Sequence, residues 1–233
     1  MLEETAYFLH LILKTHKPVV VVGAQRPFTG LSTDGPLNLV NAVRVAAQPD
    51  AGDRGVMVLL NDTIHSARHV TKTNTYRLQT FQSPGWDPMG YADADRVTFA
   101  YRLDKRHTTQ TPFHIDAVGE WPRVDILYGF HGADGALIDA ALALGARGLV
   151  IAGPGAGGVQ GMQQALNGAM ARGVAVVRTS RTGSGRVVVE DNSNLPGSIA
   201  GDDLSPQKAR VLLQLGLTVT NESGQLQSLF ESH

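Results

Sequence analysis

No cysteine occurs anywhere in the 233 residues. That excludes a disulfide framework, a thiolate zinc site and a cysteine nucleophile, and it leaves the redox compartment open. No apolar run is long enough to cross a bilayer. The positive start of a signal peptide is also missing, because Glu3 and Glu4 stand where it should be. Read as it stands, the sequence predicts a cytoplasmic chain, or a periplasmic or secreted one if a leader precedes Met1. No charge of either sign is in excess: 20 Lys and Arg face 21 Asp and Glu, for a net charge of −1. Nucleic acid is therefore not an expected partner, and neither is a membrane. What is present is ordinary globular composition, 42% hydrophobic and 18% charged. The length suffices for one large α/β domain or two smaller ones.

Along the chain, Leu2, Ala6, Leu9 and Leu13 recur at helical spacing, with Phe8 and Ile12 widening the stripe. This predicts an amphipathic helix over 2–14, with Glu3 and Glu4 suited to its first turn. The run Val19 to Val22 suits a parallel strand buried on both faces. Asp34, Gly35 and Pro36 open a second helix through Ala47, with Asp34 as the expected cap. Another buried strand spans Gly55 to Leu60. Helix, strand, helix and strand in this order predict a doubly wound parallel sheet. Such a sheet would normally place a strand before its first helix, so the pattern reads as one entered midway. Short strands and turns follow to residue 102, and 103–123 reads as a linker. From Val124 a second α/β pattern begins. It has strands over 124–128, 148–152 and 174–178, helices over 133–144 and 162–171, and a closing helix from Ser205 to Leu217. The expected fold is thus two α/β domains: a parallel-sheet, flavodoxin-like or Rossmann-like one over 1–102 and a smaller one over 124–233.

Four constellations carry potential chemistry. In Val70-Thr71-Lys72-Thr73-Asn74-Thr75, a β-like alternation puts Val70, Lys72 and Asn74 on one face and the three threonines on the other. A lysine so placed can accept a proton from a hydroxyl nucleophile, or it can be a surface charge that discourages edge pairing. Gly153 to Gly158 satisfies the glycine spacing of a dinucleotide-binding loop. However, Pro154 removes one N–H, and the next strand ends in Arg178, Thr179 and Ser180 with no acidic residue for a ribose. A tight strand-to-helix turn is the expectation. His65 and His69, four apart, would share a helix face as metal ligands, but the Asn61-Asp62 turn before them and the strand after His69 predict surface histidines instead. Glu190, at the end of Arg186-Val187-Val188-Val189, could reach a ligand's amino group or be solvated loop charge.

Several stretches resemble the bacterial-type L-asparaginases, in particular the type II asparaginase/glutaminase branch. They are Leu2 to Leu9, Lys17 to Pro27, Asp34 to Leu39, Asn61-Asp62-Thr63, Val70 to Thr75 and Ser205 to Leu213. The resemblance runs almost from end to end. It implies a two-domain α/β fold assembled as a dimer of dimers, with no metal and no cofactor. It also implies hydrolysis of the side-chain amide of L-asparagine, and often L-glutamine, through a threonine nucleophile and an acyl-enzyme. Lys72 matches the family's catalytic lysine, which with an aspartate activates a threonine. Ala24 matches the alanine whose main-chain carbonyl faces the substrate amide. Glu190 matches the glutamate that a neighbouring subunit offers to the α-amino group. The family's Thr-Gly-Gly-Thr-Ile and His-Gly-Thr-Asp-Thr motifs are not in these residues, and the second would end where Met1 stands. Gly158 also occupies a position where type II enzymes often carry an asparagine. Without its nucleophile the chain is expected to be inactive alone. The alternative expectation is a non-catalytic subunit that binds an amino acid or a partner.

Overall fold

A computed structural model describes residues 1–189 and 195–233. The chain divides into two compact units, Met1–Thr111 and Pro112–His233. Among the described residues no helix is long and apolar enough to cross a membrane.

The first unit is built on a five-stranded mixed sheet. Helix α1 (Leu2–Ile12) leads into β1 (Val19–Val22), α2 (Gly35–Ala46) and β2 (Val56–Leu60). β1 and β2 pair in parallel, with Val19 opposite Val56 and Val22 opposite Leu59. The predicted parallel order holds for these two strands and then reverses. Asn61 and Asp62 both take positive φ, 49° and 61°, the conformation of a two-residue hairpin turn whose twist matches its strands. This turn sends β3 (Thr63–Ser66) back antiparallel to β2. β6 (Gly90–Ala92) and β7 (Val97–Phe99) extend the antiparallel half. A separate ribbon pairs β4 (Thr71–Lys72) with β5 (Phe81–Gln82).

Two expectations about this unit need correction. β1 was expected to be buried on both faces, yet all four valines are only half-buried, because β1 lies at the edge of the sheet with β2 as its one neighbour. The fully buried strand is β2, with all five residues inside. The predicted stripe of α1 does face the core, with Ala6 buried and Leu2, Leu9 and Leu13 packed partly buried against it, but the packed face is wider than predicted on the other side: Glu3, Tyr7, His10 and Leu11 are buried, while Phe8 and Ile12 are only half-buried. The polar members of that face are tied to backbone. His10 Nδ1 accepts from Val56 N–H at 3.0 Å, and Glu3 Oε2 accepts from Lys72 N–H at 3.0 Å. Hydrogen bonding of this kind removes most of the cost of burying a polar group.

The second unit carries a four-stranded parallel sheet in the order β11-β10-β9-β8. β8 (Val124–Tyr128), β9 (Gly148–Gly153), β10 (Ala175–Ser180) and β11 (Ile199–Ala200) alternate with α3 (Ala136–Ala143) and α4 (Gln163–Ala171). α5 (Pro206–Gly216) and α6 (Ser223–Ser232) follow. Leu149 and Ile151 from β9 meet Ile138, Leu166 and Ala169 in one apolar core. A buried Leu or Ile contributes about 1.5–3 kcal/mol relative to exposure. β11 and α6 were not predicted: two residues are too short for periodicity, and α6 is mostly polar with only Leu226 and Phe230 buried.

Candidate functional site

In open α/β sheets, ligands bind outside the carboxyl ends of parallel strands. In the first unit those ends are Gly23-Ala24 after β1 and Asn61 after β2. One side chain bridges them. Asn38, buried on α2, donates through Nδ2 to the Gly23 carbonyl at 2.9 Å and accepts at Oδ1 from Asn61 N–H at 3.0 Å. Its second Nδ2 hydrogen reaches Asp34 Oδ2 at 2.9 Å.

Asp34 differs from the expected cap. Its side chain makes no capping hydrogen bond to the first-turn backbone of α2; its bond to that turn is with the Asn38 side chain. The carboxylate turns back to the loop after β1. Oδ1 accepts from Arg26 N–H at 2.8 Å, and Gln25 N–H lies 2.9 Å and 3.1 Å from the two oxygens. Burial raises the Asp34 pKa, but the Gln25, Arg26 and Asp34 amides and the Asn38 side chain outweigh it, so the carboxyl sits below its ordinary value of 3.8. Ala24, held inside this network, is itself exposed.

The second arm is the β4–β5 ribbon. Lys72 is exposed, with its main chain paired to Phe81 and its Nζ 5.9 Å from the Phe81 ring centre. Its own amide is fixed by Glu3, which is 8% exposed. The loop that follows is cross-braced. Thr73 N–H and Oγ1 both donate to the Thr80 carbonyl, at 2.7 Å and 2.9 Å. Asn74 N–H donates to Thr80 Oγ1 at 2.8 Å, and Asn74 Oδ1 accepts from Tyr76 and Arg77 N–H. One contact joins the two arms: Gln25 Nε2 donates to the Thr75 carbonyl. A lysine side chain and a main-chain acceptor are thus carried on neighbouring, braced backbones. Such a frame can hold a polar group and move a proton. Acyl transfer would need a nucleophile within hydrogen-bond reach as well.

The other candidates resolve differently. His65 and His69 are both buried, which corrects the expectation of surface histidines. His65 Nδ1 lies 2.8 Å from Ser83 Oγ, and His69 stacks on Trp86 with ring centres 4.5 Å apart. Among the described residues no group of three or more His, Asp or Glu is placed to hold a metal ion. The Gly153–Gly158 stretch is a turn folded on itself. A Cβ on Gly153 would stand 2.5 Å from the Gly158 carbonyl oxygen, and α4 starts only at Gln163. That leaves no cradle running directly into a helix N-terminus. Glu190 lies outside the described residues. Sequence reasoning missed Glu3, Asp34 and Asn38 as structural members of the site. A carboxylate early in a helix and an Asn one turn after an Asp read first as helix-end features.

Two family models match in order: "Asparaginase, N-terminal" over residues 1–105 and "Glutaminase/Asparaginase C-terminal domain" over 123–230. L-asparaginase 2 of Bacillus subtilis is 45% identical over the whole of this chain, which spans 62% of that protein. L-asparaginase 2 of Escherichia coli is 42% identical, again over the whole chain, which spans 68% of it. The crystal structure of a probable cytoplasmic L-asparaginase from Campylobacter jejuni superposes with a TM-score of 0.96 at 42% identity, covering 99% of this chain and 76% of that one. Residues matching both family models therefore follow in order, and the chain belongs to the type II branch of the bacterial L-asparaginases.

Proposed function

We propose that this chain carries part of an amidohydrolase site for the side-chain amide of L-asparagine and L-glutamine. The relatives it matches include proteins named L-asparaginase 2 and others named glutaminase-asparaginase. In this reading the Ala24 carbonyl accepts from the substrate NH2 group. Lys72 takes the proton of a threonine hydroxyl as that oxygen adds to the amide carbon. The proton then leaves with ammonia, and water hydrolyses the resulting ester. Glu190, contributed to a neighbouring subunit, pairs with the substrate's α-amino group in a dimer of dimers.

The observation that carries the reading is the joined frame. Ala24 and Lys72 sit on two backbones pinned by Asp34 and Glu3 and linked through Gln25 and Thr75. The threonine of the scheme is not supplied by either of the family's motifs within these 233 residues. A base without its nucleophile loses the covalent route altogether. The 233-residue chain and its Lys72→Met variant are therefore expected to release no ammonia from L-asparagine above the blank in a coupled ammonia assay. Release that disappears with Lys72→Met would overturn the placement of the nucleophile outside this chain.

A further inference from the structure

We propose that Asp34 is a positioning residue that fixes the direction of the Ala24 main-chain carbonyl. The proposal rests on the reading of Ala24 as the acceptor for the substrate amide. A peptide unit is planar, so the carbonyl of one residue and the N–H of the next move together and, in the trans form, point opposite ways. No cis peptide occurs among the described residues. The Ala24 carbonyl shares its plane with the Gln25 N–H, which lies 2.9 Å and 3.1 Å from the two Asp34 carboxylate oxygens. Holding that N–H against Asp34 turns the Ala24 carbonyl away from Asp34. The plane on the other side of Ala24 is held as well, since the Gly23 carbonyl accepts from Asn38 Nδ2 at 2.9 Å.

Both planes flanking Ala24 are thus clamped, and the clamps are joined by the 2.9 Å bond from Asn38 Nδ2 to Asp34 Oδ2. Arg26 N–H, at 2.8 Å from Asp34 Oδ1, stops the loop from pivoting about Gln25. Ala24 is exposed and has no polar side chain of its own to set this geometry. The Gln25 side chain carries the orientation onward to the loop after Lys72 through the Thr75 carbonyl. Asp34 therefore sets the acceptor and, through Gln25, its registration with the lysine arm. A prepositioned acceptor avoids the ordering cost that a mobile loop would bring to binding.

The test is an L-asparagine titration of the 15N-labelled 233-residue chain, its Asp34→Ala variant and its Asp34→Asn variant, read at the amides of Ala24, Gln25 and Arg26. Second-unit amides serve as the internal reference for folding. The wild type should respond at these three amides, and Asp34→Ala should weaken the apparent affinity about tenfold, the effect of losing one charge-assisted contact. Asp34→Asn keeps an acceptor oxygen and should fall between the two, with reference amides unmoved in all three. Equal affinity in Asp34→Ala and wild type would overturn the proposal. A wild type that does not respond at all would overturn the role of Ala24. The clamp itself is then judged by hydrogen exchange of the wild-type Gln25 and Arg26 amides, where exchange at the unprotected loop rate overturns it.

Discussion

Replacing Glu3 by Ala removes the carboxylate that holds the Lys72 amide, and the structure sets the size of the effect. The hydrogen bond is 3.0 Å long, its acceptor is charged and the side chain is 8% exposed. A hydrogen bond to a charged group is worth about 1.5–3 kcal/mol net. Glu3 also lies in the first turn of α1, where a negative charge adds roughly 0.3–1 kcal/mol. Two effects oppose these: the better helix propensity of alanine, a few tenths of a kcal/mol, and release of a partly buried charge. Glu3→Ala should therefore cost about 2 kcal/mol, read as a lower urea midpoint with unchanged slope. For a chain of this length that corresponds to a fall of about 4–8 °C in Tm. Glu3→Gln keeps an acceptor oxygen and should cost about half as much. Exchange of the Lys72 amide should accelerate in Glu3→Ala while amides of β9 stay protected. A variant within about 0.5 kcal/mol of wild type, with Lys72 exchange unchanged, would refute the account of how the lysine arm is anchored.

Gly55 takes φ +70°, and a Cβ there would lie 2.4 Å from His10 Cε1, so Gly55→Ala combines left-handed strain with overpacking. A loss of about 3 kcal/mol is expected from urea unfolding, and a loss under about 1 kcal/mol would contradict the packing. Burial lowers the His107 pKa below its ordinary 6.5, with the Asp53 carboxylate opposing. The unfolded chain then binds the proton first, so stability is intact above pH 6.5 and declines as the pH falls toward the folded pKa. His107→Gln should flatten urea midpoints across that window, and an unchanged pH slope would refute the assignment.

The fold was legible wherever one local signal dominated. The apolar runs of β2 and β9, the Asn61-Asp62 turn and the Ser205-Pro206 helix start all appear where expected. Misreadings arose where long-range partners decided the outcome. The apolar stripe of α1 packs where expected, but its polar flank was missed because Glu3 and His10 look solvated in sequence, whereas each binds a backbone amide far along the chain. His65 and His69 read as surface residues until Ser83 and Trp86 close over them. Asp34 read as a helix cap because Gln25 and Arg26 lie before it in sequence, and nothing in composition indicates that the loop returns to it. For the site, the resemblance supplied Lys72 and Ala24. The residues that hold them came only from three-dimensional contacts. Glu190 lies outside the described residues.

We propose that Lys72 belongs to an amide-hydrolysing site whose nucleophile is not among these 233 residues. The most direct test of this claim is ammonia release from L-asparagine by the chain extended at Met1 with a family segment bearing both threonine motifs. Turnover in the extended protein that is lost with Lys72→Met is the predicted result. Turnover that survives Lys72→Met would contradict the claim.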